Sequence, residues 1–180
     1  MEKDEQLIKS KLYLIGLMGA GKTTVGRQMA RKLQLDFYDS DREIEARTGV
    51  SVPTVFEIEG EDGFRRREAQ VIAELATLPA CVIATGGGVV LRPENRAALK
   101  KSGWVVYLDV PPVILWERTR QDRNRPLLRV EDPLKRLQEL YVMRDPLYRE
   151  TADYTVDGSR LQASAIVQQL LSEVEGKWKR

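Results

Sequence analysis

Apolar and polar positions come in blocks along the chain, and the blocks change period. Leu12-Tyr13-Leu14-Ile15 is a short continuous apolar run, and behind it Val25, Met29, Ala30 and Leu33 recur at helical spacing among polar residues. The first block reads as a buried strand over 12–15 and the second as an amphipathic helix over 23–33. The alternation continues, with strands expected over 35–39, 80–84, 104–109 and 154–156. Helices are expected over 41–47, 61–78, 93–101, from Pro111 or Pro112 to Arg118, and over 133–144 and 161–175. Thr48-Gly49 closes the helix before it, a short helix starts at Ser51 with Pro53 in its first turn and ends at Gly60, and Pro79 stops the long helix after it. The strands are continuous apolar runs rather than alternating ones, which suits a parallel sheet covered on both faces. The expected fold is a three-layer α/β/α sandwich of about five parallel strands joined by right-handed crossovers. No repeat, low-complexity segment or linker divides it, so residues 1–180 read as one domain. Ligands of such sheets sit beyond the carboxyl ends of the strands.

Between the first strand and the first helix stands GLMGAGKT over residues 16–23, followed by Thr24. It fits G-x-x-x-x-G-K-[ST], with Gly16, Gly21, Lys22 and Thr23 at the fixed places, in the strand–loop–helix context the pattern requires. Glycines let successive backbone N–H groups point at a polyphosphate, and the helix N-terminus adds partial positive charge. Lys22 is then expected to reach the β- and γ-phosphates, and the Thr23 hydroxyl to bind Mg²⁺.

Composition narrows the chemistry. The 180 residues are 42% hydrophobic and 31% charged, as in a soluble globular chain. A net charge of +2 leaves no electrostatic footprint for nucleic acid or an anionic membrane. Of the 29 basic residues 19 are Arg, the better bidentate partner for phosphate and carboxylate. A lone cysteine, Cys81 in an apolar run, excludes an intrachain disulfide and points to a reducing compartment. No run approaches the roughly 18 apolar residues of a membrane span, and the polar start MEKDEQLIKS shows no signal peptide. A cytoplasmic monomer is expected. With no His, His-ligated metals and His-based triads are excluded, and a general base must be a carboxylate or a Lys.

Four further groups fall on the same expected rim or beside it. Asp39 and Asp41 flank Ser40 after the second strand; one carboxylate suits Mg²⁺ and the other a hydroxyl proton, while either also suits a helix cap. Phe64-Arg65-Arg66-Arg67-Glu68 lies on a helix, where Glu61, Arg65 and Glu68 are spaced for surface ion pairs and at most one or two Arg can face a ligand. Thr85-Gly86-Gly87-Gly88 follows a strand; three glycines in a row are entropically costly, which close approach of a ligand to the main chain justifies, as does a plain tight turn. Residues 118–129 hold Arg118, Arg120, Arg123, Arg125 and Arg129 between two helices, a solvated loop or a lid over a transferred phosphoryl group. Asp109 ends the apolar WVVYLD strand and reads as the cap of the helix after it.

In order along the chain, these segments resemble the shikimate kinase family. GLMGAGKTT is similar to its phosphate loop, Asp39-Ser40-Asp41-Arg42-Glu43-Ile44-Glu45 to its D-x-D-x-x-I-E segment, and Gly60-Glu61 with Phe64 to Glu68 to G-E-x-x-F-R-x-x-E. Thr85 to Gly88 resembles its T-G-G-G turn, Arg118-Thr119 with Arg125 to Leu128 its R-T…R-P-L-L lid, and Arg144-Asp145-Pro146-Leu147-Tyr148 its R-x-P-L-Y. The resemblance runs from about Leu12 to Tyr154. It implies a P-loop kinase fold with a mobile lid over about 120–132, and ATP- and Mg²⁺-dependent phosphorylation of the 3-hydroxyl of shikimate on the route to chorismate and the aromatic amino acids. Gly19, Ala20, Gly21, Lys22, Thr23 and Thr24 would hold the ATP phosphates, Thr23 the Mg²⁺, with Asp39 in its water shell. Asp41, Arg65, Gly87 and Arg144 would bind shikimate, Asp41 as the candidate base. Arg125 would reach the phosphates from the lid and Arg118 would lie along the adenine, with a further adenine contact among 157–160, where only Arg160 suggests itself. The competing readings are another small-molecule kinase of this architecture, such as a gluconate or nucleoside monophosphate kinase, and a nucleotide-binding switch without transfer chemistry. No base-recognition surface and no guanine-reading N-K-x-D is visible in the sequence for either.

Overall fold

The computed structural model describes residues 10–177; most of the polar N-terminal stretch read above lies outside the described residues. Five parallel strands, β1 (Lys11–Ile15), β2 (Asp36–Asp39), β3 (Cys81–Ala84), β4 (Gly103–Asp109) and β5 (Tyr154–Asp157), form one sheet in the order β2-β3-β1-β4-β5. The register pairs Leu12 with Val82 on one side and with Trp104 on the other. β1, β3 and nearly all of β4 are buried, as continuous apolar runs demand, whereas the edge strands β2 and β5 are only partly buried and carry Asp at their ends.

The helices are α1 (Lys22–Leu33), α2 (Ser40–Thr48), α3 (Val52–Leu75), α4 (Pro93–Ser102), α5 (Pro112–Thr119), α6 (Pro133–Thr151) and α7 (Ala163–Lys177). α1 packs with α7, while α4 and α6 pack on β4 and α3 joins α4, so helix layers cover the sheet as expected of a three-layer α/β/α sandwich. Short 3₁₀ turns at Val89–Leu91 and Pro126–Leu128 follow the glycine run and interrupt the Arg-rich segment. No helix among the described residues is long and apolar enough to cross a membrane.

Most element ends fall within about two residues of the sequence reading; the larger differences are these. Gly60, at φ 71 and ψ 180, breaks the helical path inside α3 where a helix end was expected, and the second half stops at Leu75 rather than 78. α6 runs to Thr151 instead of ending at 144, straight through Pro146. The proline frees the carbonyl of Val142, and Val142 is 75% exposed, so water can take up that acceptor. Asp109 does not cap α5, whose N-terminus has no side-chain cap. It accepts instead from the Tyr141 hydroxyl at 2.8 Å and from Arg149 at 2.7 Å, tying the end of β4 to α6.

Candidate active site

The loop from β1 to α1 lines a cavity of about 520 Å³ with Gly19, Gly21, Lys22, Thr23 and Thr24. Lys22 is 9% exposed. Its ammonium donates back to the carbonyls of Gly16 at 2.5 Å and Leu17 at 2.9 Å. Burial lowers its pKa to about 8, with the Arg125 cation adding to the shift and Asp41 and Asp39 opposing it.

Asp39 does two jobs that sequence reasoning held apart. Its Oδ1 accepts the backbone N–H groups of Asp41 at 3.0 Å and Arg42 at 3.2 Å and so caps α2, while its Oδ2 accepts from the Thr23 hydroxyl at 2.9 Å. Asp41, in the first turn of α2, is half-buried, and its Oδ1 is buried without a hydrogen-bond partner. Burial pushes its pKa up to about 7, helped by the Glu68 and Asp39 charges and opposed by Lys22 and Arg125. Ser40, fully buried, accepts the Gly86 N–H at 2.9 Å and fastens this acidic segment to the glycine run. Its place between two acids in the sequence did not single it out.

A second cavity, of about 60 Å³, adjoins the first and shares Asp41, Gly86, Gly87, Asn124 and Arg125 with it. Arg65, Glu68 and Arg144 complete its polar lining, and Val52, Phe56, Phe64 and Leu127 its apolar lining. Arg65 makes both ion pairs the spacing predicted, at 3.3 Å to Glu61 and 2.9 Å to Glu68; Glu61 is exposed, but Arg65 is buried and Glu68 wholly so, which takes the second pair off the surface. Arg66 is exposed and Arg67 turns back to Glu59 at 2.6 Å, so only Arg65 of the three faces the cavity. Arg144, 2% exposed, arrives from α6. Among the described residues, five buried side-chain atoms have no hydrogen-bond partner: the donors Arg65 Nε, Arg144 Nε and Arg144 Nη1, and the acceptors Asp41 Oδ1 and Glu68 Oε2. All belong to residues lining this one cavity.

The chain turns at Gly87 and Gly88, and these side chains explain why Gly86 and Gly88 carry none of their own. A Cβ on Gly86 would stand 2.7 Å from Asp41 Oδ1 and 2.8 Å from Glu68 Oε2, and one on Gly88 would overlap the Arg65 guanidinium. The sequence left ligand approach and a tight turn both open for this run; at Gly86 and Gly88 the close approach is made by the protein's own charged groups. Glu68 was legible as an ion-pair partner of Arg65 and as the last residue of the G-E-x-x-F-R-x-x-E segment, but nothing local to it signals that the pair is buried.

The Arg-rich segment closes one side of both cavities. Arg125 lines each of them and pairs with Asp122 at 3.0 Å. Arg118 donates to the carbonyls of Gly19 at 3.2 Å and Gly158 at 3.4 Å, bordering a third cavity of about 470 Å³ on the far side of the loop. Ser159, Arg160, Leu161 and Gln162 also line it, which brings Arg160 to the same cavity as the phosphate loop. Among the described residues no group of three or more acidic, Cys or His side chains is gathered for a metal.

A phosphate loop at the switch between β1 and α1, acids at the end of β2 and an Arg-bearing segment over both cavities define a P-loop phosphotransferase acting on a small molecule. A family model described as Shikimate kinase matches residues 18–175. The chain is 66% identical over 165 residues to the shikimate kinase of Dechloromonas aromatica, covering 92% of this chain and 90% of that one. With the shikimate kinase of Aromatoleum aromaticum it shares 59% identity over 169 residues, covering 94% and 97% of the two chains. Among solved structures it is similar to a shikimate kinase from Acinetobacter baumannii in complex with shikimate, with a TM-score of 0.92 and 48% identity over 96% of this chain and 97% of that one. The chain belongs to the shikimate kinase family, and its activity is ATP-dependent phosphorylation of an alcohol.

Proposed function

We propose that this chain transfers the γ-phosphoryl group of ATP to the 3-hydroxyl of shikimate, with Mg²⁺, in the cytoplasm and as a monomer. The observation that carries the acceptor is the set of five unpartnered buried atoms around the second cavity. Unsatisfied buried polar groups are costly, so a ligand that pairs them gains that energy on binding. Three donors on two guanidinium groups match a carboxylate, and two carboxylate oxygens match hydroxyls. Shikimate carries both, at opposite ends of a ring that the Phe56, Phe64 and Leu127 side chains suit.

In this reading Arg65 and Arg144 hold the shikimate carboxylate, Gly87 lies against the ring, and Asp41 faces the acceptor hydroxyl at the opening between the cavities. Asp41 takes the hydroxyl proton as the oxygen attacks the γ-phosphorus and the bond to ADP breaks. Its pKa of about 7 suits a base at neutral pH. Gly19 to Thr24 cradle the phosphates, and Lys22 and Arg125 balance the charge that develops on the transferred group. Arg118, with Arg160 across the third cavity, borders the adenine. The donor set fits Mg²⁺, which keeps several waters and takes one or two protein oxygens beside the phosphates: the Thr23 hydroxyl and Asp39 carboxylate are already side by side on the first cavity. Mg²⁺ there would offset phosphate charge.

ADP release measured in parallel with shikimate, gluconate and nucleoside monophosphates tests the reading, with stimulation expected from shikimate alone. Stimulation by another acceptor, or tight ATP binding without any acceptor-dependent turnover, overturns it. Lys22→Ala should cost kcat severely, on the order of a hundredfold or more, and normal turnover would remove the phosphate-loop assignment.

A further inference from the structure

Tyr148 lies one helical turn beyond Arg144 on α6, and its side chain is fully buried. Its hydroxyl donates to the Gly87 carbonyl at 2.5 Å, across 61 residues of sequence. The Arg144 guanidinium stands beside the same hydroxyl: burial pushes the Tyr148 pKa up to about 12, although the Arg144 cation opposes the shift. The phenol therefore stays protonated, a permanent donor, across the working range of pH. Its ring is stacked on Tyr107 of β4 at 4.8 Å between centroids. Tyr107 is held in turn by its own hydroxyl, 2.8 Å from Asp145. Tyr148 is thus clamped at the ring face and at the hydroxyl, and so has little rotamer freedom.

The two groups it joins come from opposite sides of the acceptor cavity. Gly87 follows β3 and Arg144 rides on α6, and a Cβ on Gly87 would stand 3.4 Å from Arg144 Nη1. The backbone of the glycine run is otherwise fixed at Gly86, through Ser40, and at its 3₁₀ turn. Arg144 has two buried donors that no protein atom engages, so the guanidinium depends on its neighbours for its aim. Resting on the function proposed above, we infer that Tyr148 is a positioning residue for the acceptor. It pins the Gly87 carbonyl to α6 and thereby sets the spacing between Gly87 and the Arg144 donors that receive the carboxylate. The hydroxyl does not line the cavity, so Tyr148 acts through Gly87 and Arg144 rather than on shikimate itself.

Removing the hydroxyl alone loosens acceptor binding before and during transfer alike, which raises KM and leaves kcat. Tyr148→Phe is expected to raise the KM for shikimate about tenfold, with kcat and the KM for ATP within about twofold of the unaltered chain. Tyr107→Phe is the comparison: it loses a buried hydroxyl from the same stack, yet its bond goes to Asp145 and not to the site. It should lower thermal stability similarly and leave both KM values. Shikimate-dependent turnover of the unaltered chain is measured first; its absence sinks the proposed function, whereas its presence with an unchanged KM in Tyr148→Phe sinks only the role of Tyr148. Equal KM rises for both substrates, or the same rise in Tyr107→Phe, also overturn it, because they report general loosening. Hydrogen exchange on the unaltered chain needs no variant to fold: shikimate should protect residues 87–89 and 144–148 together, and protection of one segment alone contradicts the tie.

Discussion

In the proposed reaction Asp41 sits where two demands conflict, since a general base is needed ionised and burial penalises the charge. Its folded pKa of about 7 lies above the ordinary value of 3.8, so the folded chain holds this proton more tightly than the unfolded chain does. The stability contributed by that proton is full below the unfolded pKa and is lost as pH rises through about 7. Asp41→Asn removes the buried charge, so at pH 8 it should raise Tm by several degrees relative to the unaltered chain, with no gain near pH 4. The same variant should keep ATP affinity and lose about 10²–10⁴ in kcat, the range for a general base. Turnover near the unaltered level would remove the base. The kcat/KM profile should show an acid limb near 7 from Asp41 and a basic limb near 8 from Lys22, and the acid limb should vanish from the residual rate of Asp41→Asn. Gly88→Ala places a methyl group on the Arg65 guanidinium, and a raised KM for shikimate with a Tm loss worth about 1–3 kcal/mol is expected. Arg65 and Asp41 were legible because their residue types and neighbours repeat a known pattern. Glu68 shares that pattern, but its place in the cavity was not legible, nor was that of Ser40, because only burial separates them from any helix-surface Glu or loop Ser.

Elements carry roles beyond those of their residues. Asp39 both caps α2 and holds the Thr23 hydroxyl, and these roles separate on substitution. Asn caps a helix about as well as Asp, so Asp39→Asn should leave Tm within about 2 °C but raise the Mg²⁺ concentration needed for half-maximal rate. Equal Mg²⁺ dependence would confine Asp39 to capping. In α3, Gly60 adopts φ 71 and ψ 180, a region that residues with a Cβ avoid, and nothing lies within 4 Å of where a Cβ would stand. Gly60→Ala therefore tests backbone strain without collision, and a loss of about 1–3 kcal/mol by denaturant unfolding is expected. The break lets Val52 and Phe56 before it and Phe64, Arg65 and Glu68 after it face one cavity, with the Phe56 and Phe64 rings 4.6 Å apart. Glycine at this point of the sequence marked the break, but its dihedral angles and the shared cavity needed the folded chain. The passage of α6 through Pro146 was hidden for the opposite reason: a local rule against helical proline is overridden on an exposed stretch of a helix held by its packing on either side.

At the scale of the molecule, the acceptor cavity is small, about 60 Å³, and opens toward the larger first cavity through the residues they share. Asn124, Arg125, Pro126 and Leu127 form one side of it, so this segment would stand over a ring acid bound there. Residues 120–132 are accordingly proposed to open and close with ligand, and ATP plus shikimate should slow their hydrogen exchange by about tenfold or more; equal protection with and without ligands would contradict the lid. The Arg125–Asp122 ion pair, about a third exposed on both sides, is weak enough to release Arg125 to a phosphate. By itself the sequence determined the parallel α/β class, the phosphate loop and the candidate residues, because periodicity, glycine spacing and residue type are local and each has a short-range physical cause. Only the tertiary structure decided that Arg65, Glu68, Arg144 and Asp41, from three helices, share one buried cavity with unpaired donors and acceptors, and that the glycine run is empty to admit them. Burial and charge coupling arise when distant segments exclude water from one another, and no window of sequence contains both sides of that contact.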